Sequence, residues 1–351
     1  MRKSLLAATV ATCLSSLLVA PGAATAAAAP KATAAPKASV APAVTALPFG
    51  TPADVVATGT RVFVSGGPGS TQVAVTTAAG AVTRTLDGLS GPADLQLSND
   101  RRTLYVAEPA AGRISAFSTL TLRRTATYST GAGSCPASLA FTGQFLWFGY
   151  GCADFEGDIG RIDLTSRPAV VTTGLAGYDF YEAPLLASAT RNTGVLLASQ
   201  PGLSYGADLS YRVGTDGSLT RVSITPFDIA GENKRDNALD PTGTTAYTAD
   251  GYPYYVQSFP AADLSRPGTR FPTGPYPVAV EISESGRVAG GADAAYEPDV
   301  FVFTPGGTLL QQFDLGDQYA TLVPHGLAWS PAGTTLYAIT ADGFLHVLPV
   351  A

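Results

Sequence analysis

The sequence predicts an all-β fold, a ring of seven four-stranded antiparallel blades closed into a β-propeller. Three observations carry this. A short proline motif recurs as Thr51-Pro52-Ala53-Asp54-Val55, Gly91-Pro92-Ala93-Asp94-Leu95 and Cys135-Pro136-Ala137-Ser138-Leu139. Looser copies stand at Tyr276-Pro277-Val278-Ala279-Val280 and Val323-Pro324-His325-Gly326-Leu327. A strand-like run follows several copies: Arg61-Val62-Phe63-Val64, Thr103-Leu104-Tyr105-Val106, Phe145-Leu146-Trp147-Phe148 and Thr335-Leu336-Tyr337-Ala338. The spacing is regular: Pro52, Pro92 and Pro136 lie 40 and 44 residues apart, and Pro277 and Pro324 lie 47 apart. A period of ~40–50 residues with four strands per unit is the signature of propeller blades.

Residues 91–131 show one unit whole. Leu95-Gln96-Leu97, Thr103–Ala107, Ile114–Phe117 and Thr125–Tyr128 are runs rich in β-branched and aromatic residues. Turn residues such as Asn99-Asp100 separate them, and Gly131 closes the unit. This reads as a four-stranded meander. Such a sheet cannot bury both faces alone and needs a copy on either side.

In chain order, Arg2 and Lys3 precede an apolar run from Leu5 to Ala20, and Ala24-Thr25-Ala26 fits a small-residue cleavage site. Residues 1–26 therefore read as a secretory signal peptide, which predicts a secreted, extracellular protein. The run is too short, and too broken by Ser and Thr, for a comfortable membrane span. Residues 27–43 are rich in Ala and Pro, with Lys31 and Lys37, and read as a flexible linker. Residues 44–351 show no further shift in composition and read as one propeller. Hydrophobic residues at 46% against 14% charged, with 38 Gly and 26 Pro, suit a β core with many turns.

Unit starts near Pro52, Pro92, Pro136, Glu182, Arg235, Pro277 and Pro324 make seven. The last unit has three runs, Gly326–Ser330, Thr335–Thr340 and Phe344–Pro349. An unmatched strand, Ala43-Val44-Thr45-Ala46-Leu47, precedes the first unit and is predicted to complete the last blade. That pairing removes two open sheet edges.

Charge limits the partners. The net charge of −6 becomes −8 when the leader takes Arg2 and Lys3 with it. The lysines are Lys3, Lys31, Lys37 and Lys234, so the propeller keeps one. An acidic, lysine-poor chain is a poor nucleic-acid binder. The same scarcity argues against Schiff-base chemistry.

The repeats resemble the YVTN-type family of secreted seven-bladed propellers. The likeness rests on the Pro-Ala-Asp-Leu start, the Leu97-Ser98-Asn99-Asp100 turn, Leu104-Tyr105-Val106-Ala107, the Asp163-Leu164-Thr165 turn and the Ser330-Pro331-Ala332-Gly333 turn. It covers about residues 44–351. It implies a binding or scaffold protein and brings no catalytic residue with it.

Several residues could carry chemistry. Cys135 and Cys152 remain once the leader is gone, in loops that share one propeller face, so a disulfide is predicted. Aligning the units places Asp54, Asp94, Ser138, Pro184, Asp236, Ala279 and Gly326 in one slot that begins each innermost strand. Asp54, Asp94 and Asp236 would then rim one mouth of the central channel. They could hold a divalent cation such as calcium, or accept backbone N–H bonds in their own turns. His325 sits at the same mouth and could act as a base, a ligand or a turn residue. Propeller lactonases need Glu, Asn and Asp converging in the channel, and only Asn237 stands beside a slot.

The acids Asp154, Glu156 and Asp158 read as a solvated loop. His346 lies mid-strand and reads as structural. No Gly-x-Ser-x-Gly elbow is present. Tyr150, Tyr254 and Tyr296 fall in or beside loops between second and third strands, and Tyr276 falls in a loop entering a blade. All four project from one face, where they could grip a ligand or pack loop bases. The reading is a monomeric binding protein for a protein, peptide or glycan at the cell surface, with binding favoured over catalysis and catalysis left open. The alternatives are a metal-assisted hydrolase or lactonase at the Asp mouth, and a structural cell-envelope protein.

Overall fold

Runs of β-branched and aromatic residues, each stopped by a glycine or a polar turn, fold as short strands in the computed structural model. It describes residues 42–293, 298–316 and 321–351. The chain starts with β1 (Ala43–Ala46). Blade 1 is β2 (Val55–Ala57), β3 (Arg61–Ser65), β4 (Val73–Thr77) and β5 (Val82–Leu86). Blade 2 is β6 (Leu95–Leu97), β7 (Thr103–Glu108), β8 (Arg113–Ser118) and β9 (Arg124–Ser129). Blade 3 is β10 (Pro136–Thr142), β11 (Phe145–Tyr150), β12 (Asp158–Asp163) and β13 (Val170–Thr172). Blade 4 is β14 (Leu185–Ser188), β15 (Val195–Ser199), β16 (Asp208–Val213) and β17 (Leu219–Ile224). Blade 5 is β18 (Glu232–Leu239), β19 (Thr245–Tyr252), β20 (Val256–Pro260) and β21 (Arg270–Phe271). Blade 6 is β22 (Pro277–Ile282), β23 (Val288–Ala292), β24 (Val300–Phe303) and β25 (Leu309–Phe313). Blade 7 is β26 (Leu322–Trp329), β27 (Thr335–Thr340) and β28 (Phe344–Pro349), with β1 as its outer strand.

Each sheet is an antiparallel meander in sequence order, except that β1 lies against β28 with Ala43 opposite Val347 and Ala46 opposite Phe344. The first strands of successive blades adjoin in the order β2, β6, β10, β14, β18, β22, β26, and β26 meets β2. The seven-bladed ring is therefore closed.

Burial explains why the inner strands are apolar without alternation. In β7, Leu104, Tyr105, Val106 and Ala107 are all buried, because both faces of the strand meet other blades. In β9 the pattern alternates, because one face meets solvent. The core is seven apolar layers, each shared by two neighbouring blades. The layer between blades 3 and 4 joins Phe145, Trp147 and Ile159 to Leu196, Leu209 and Tyr211. The layer between blades 7 and 1 joins Leu345 and Ile339 to Val62 and Val64.

Alternating strand direction gives the ring two unlike ends. Turns from first to second strands, and from third to fourth, lie at one end, hereafter the turn end. Loops from second to third strands, and connections between blades, lie at the other, the loop end. The turns are tight and self-capped: Ser98 Oγ bonds Asp100 Oδ1 at 2.6 Å, and Asp100 accepts the Arg102 N–H at 3.0 Å.

Candidate functional site

The slot that begins each innermost strand does one job repeatedly. Asp54 Oδ2 accepts the Leu95 N–H of blade 2 at 2.6 Å, and Asp94 Oδ2 accepts the Leu139 N–H of blade 3 at 2.6 Å. Ser138 Oγ accepts the Leu186 N–H of blade 4 at 2.9 Å. Asp236 Oδ2 accepts the Val280 N–H of blade 6 at 2.9 Å. Each of these four side chains stitches its blade to a neighbour's innermost strand. The bonded residue directly follows the slot, so Leu185 and not Pro184 holds the slot in blade 4. The sequence alignment slips there because blade 4 lacks the proline motif.

The slot carboxylates nevertheless converge. Asp236 Oδ1 lies 2.7 Å from His325 Nδ1, and about a quarter of the His325 side chain is exposed, at 26%. His325 adopts φ 56°, a backbone region few non-glycine residues occupy, and this turns its ring into the mouth. Desolvation works against the imidazolium, but Asp236, then Asp94 and Asp54, push the His325 pKa up to about 10. Burial, reinforced by Asp94, raises Asp54 well above the ordinary carboxylate range, and burial also raises Asp94. The protein thus supplies its own cation to the acidic mouth. A divalent ion would have to displace His325 and compete with the backbone N–H groups for oxygens. Among the described residues no group of three or more His, Cys, Asp or Glu is arranged to hold a metal ion.

Below the mouth the channel encloses about 340 Å³. Glu281 lines it, and burial, then Asp236, push its pKa up to about 8. At the turn end Glu284 sits between Arg191, at 3.2 Å, and Arg101, at 3.8 Å. Sequence reading missed Glu281, because a Glu inside β22 carries no motif of its own.

Cys135 and Cys152 are bonded, with Cα atoms 5.2 Å apart. The bridge ties the start of blade 3 to the loop after β11. The Asp154–Asp158 loop is held by side chains: Tyr181 Oη donates to Asp154 Oδ2 at 2.6 Å, and Asp158 Oδ1 accepts the Ile159 and Ala176 N–H groups. His346 is buried in β28, and burial lowers its pKa.

The tyrosines divide. Tyr150 packs against Phe148 with ring centroids 5.6 Å apart, and its Oη accepts the Gly174 N–H at 3.1 Å. It holds a loop base. Tyr254 and Tyr276 are 46% and 52% exposed, with centroids 5.3 Å apart in an edge-to-face contact. Tyr252 completes the group, 5.6 Å from Tyr254 and 54% exposed. Tyr296 lies outside the described residues. Two further ring pairs belong to the same end: Tyr205 with Phe227 at 4.7 Å, both exposed, and the half-buried Tyr181 with exposed Phe155 at 5.0 Å. Each group joins the second-to-third loop of one blade to the loop entering the next. Phe155 and Phe227, both 74% exposed, were not singled out from sequence, although a Phe between Asp154 and Glu156 has no core to reach.

No family model matches the sequence, and no curated protein does either. A solved chain in the crystal structure of the mitotic checkpoint complex superposes with a TM-score of 0.70 at 15% identity. The match covers 95% of this chain and 99% of that one. At this identity the likeness establishes a WD40-like propeller fold and nothing about activity.

Proposed function

We propose that this chain is a secreted binding protein that holds a protein, peptide or glycan at its loop end. The observation that carries the reading is the Tyr252–Tyr254–Tyr276 group. These are large rings left about half exposed where a monomer gains by covering them. Propellers commonly serve as interaction scaffolds, and the likeness of the repeats to YVTN-type proteins points the same way. The leader-like residues 1–26, which lie outside the described residues, and the Cys135–Cys152 bridge support export to an oxidising compartment. No helix among the described residues is long and apolar enough to cross a membrane.

The test is an array of cell-wall glycans and peptides probed with the wild-type chain, then with Tyr254→Ala and Tyr276→Ala. Truncating a contact tyrosine should weaken binding of any captured ligand by more than ~1 kcal/mol. Asn99→Ala and Ala332→Ser, in turns at the opposite end, should leave it unchanged. Loss of binding in the turn variants alone would place the ligand at the other end. N-terminal sequencing of protein from the medium checks the leader and should find the first residue near Ala27.

A further inference from the structure

Charge is sorted between the two ends of the ring. Arg101, Arg102, Arg123, Arg167, Arg191 and Arg266 all sit in turns at the turn end. The acids there are engaged: Asp100, Asp163, Asp216, Asp240 and Asp263 accept hydroxyl or N–H groups of their own turns. Glu284 is taken by Arg101 and Arg191. The loop end of blades 3–5 carries carboxylates with few basic neighbours. Asp154, Glu156, Asp179, Glu182 and Asp228 lie exposed in its loops, and the half-buried Glu232 opens β18. No salt bridge among the described residues involves any of them. The arginines near this end are Arg113, held by Glu108, Arg270, laid over Tyr255, and Arg235, which is exposed.

These carboxylates, none of them in a salt bridge among the described residues, flank the exposed rings. Asp154 and Glu156 flank Phe155, Asp228 follows Phe227, and Glu232 pairs with Tyr205 in an isolated β-bridge. Resting on the binding role proposed above, we infer that this face receives a polypeptide segment bearing lysine or arginine. The carboxylates supply charge complementarity and the ring faces attract cations through their quadrupoles. An anionic glycan or a nucleic acid meets repulsion here. A neutral glycan covers the rings but leaves the carboxylates unpaired.

The test uses the full chain and three probes: a fluorescent peptide of about twelve residues repeating Lys-Gly-Ala, its Glu-Gly-Ala counterpart, and cellohexaose. Only the lysine peptide should bind, and raising salt from about 50 to about 300 mM should weaken it about tenfold. The double variant Glu182→Gln with Glu232→Gln should also weaken it about tenfold. Gln keeps the shape of Glu, and the Tyr205–Glu232 pairing is a backbone bridge, so the loop fold is kept. Asp216→Asn with Asp263→Asn removes the same charge from the turn end, and Asn preserves those turns. That pair should change affinity less than about twofold.

Equal loss in both pairs would mean bulk charge and overturn the inference. Failure of the lysine peptide to bind would overturn it too. Cellohexaose capture that Tyr254→Ala abolishes would sink the cationic partner while leaving the binding face standing. Lysine-peptide binding indifferent to Tyr254→Ala, Tyr276→Ala and the Glu pair would overturn both readings.

Discussion

His325 gathers into one side chain what the slot carboxylates do collectively. Its folded pKa of about 10 lies above the ordinary 6.5, so protonation favours the fold. The contribution is whole below about pH 6.5 and fades as pH rises toward 10. Glu281 acts with the same sign: its folded pKa near 8 exceeds the ordinary 4.5, so stability from this group falls as pH rises between those values. Melting temperature should therefore decline from about pH 6 to about pH 10. His325→Asn, a residue that tolerates the left-handed backbone, should cost about 1–3 kcal/mol near pH 6, by leaving Asp236 without its cation. It should also flatten the alkaline part of the decline. Parallel pH curves for the two proteins would show that His325 does not hold the mouth. The sequence made the slot legible, since Asp54, Asp94 and Asp236 align by spacing alone. It could not show that His325 reaches Asp236 across the channel, because that depends on how the seven blades curve. Nor could it separate Tyr150 from Tyr254, since both stand at or just past the end of a second strand and only their neighbours differ.

At the scale of elements, two ties invite cutting. β1 covers the outer edge of β28, so a chain lacking residues 42–47 leaves that edge of Phe344–Val347 open while β27 still pairs the other. Lower melting temperature and aggregation should follow, read by calorimetry and light scattering. The Cys135–Cys152 bridge closes a loop of sequence separation 17. Cys135→Ser with Cys152→Ser should cost about 2–4 kcal/mol. Hydrogen exchange should quicken first in residues 149–157, where Phe155 N–H donates to the Tyr181 carbonyl at 2.7 Å. Uniform protection in the variant would mean that the bridge does not hold that loop. Blades 1–3, 6 and 7 were legible because their proline motifs mark each start. Blade 5 was degenerate for a physical reason. β18 opens with Glu-Asn-Lys-Arg-Asp, which reads as a solvated loop. Instead Lys234 is buried, with Nζ 2.7 Å from Asp208 and 3.1 Å from Asp250. An internal ion network replaces the apolar pattern there, and period-based reading does not see it.

For the whole molecule, the deciding feature is that no blade owns its core. Every apolar layer is shared by two neighbours, and the ring returns from blade 7 to blade 1. The count of seven followed from spacing in the sequence. The separation of arginines from the loop-end carboxylates did not, because it appears only when each turn and loop is assigned to an end. Sharing of layers makes a prediction about unfolding. If one blade opened, both adjoining layers would lose half their atoms, so partial states lose apolar burial faster than they gain chain entropy. The two tryptophans report on distant layers: Trp147 lies between blades 3 and 4, and Trp329 between blades 6 and 7. Trp147→Phe leaves fluorescence to Trp329 alone, and Trp329→Phe leaves it to Trp147. Within each variant the fluorescence midpoint in urea should coincide with the far-ultraviolet circular dichroism midpoint, which averages over every blade. Coincidence in both variants means that the ring opens as one unit. A fluorescence midpoint that precedes the dichroism midpoint in the Trp147→Phe variant alone would show that the ring parts first near blades 6 and 7. The shared layers would then be too weak to couple blades around the full circle.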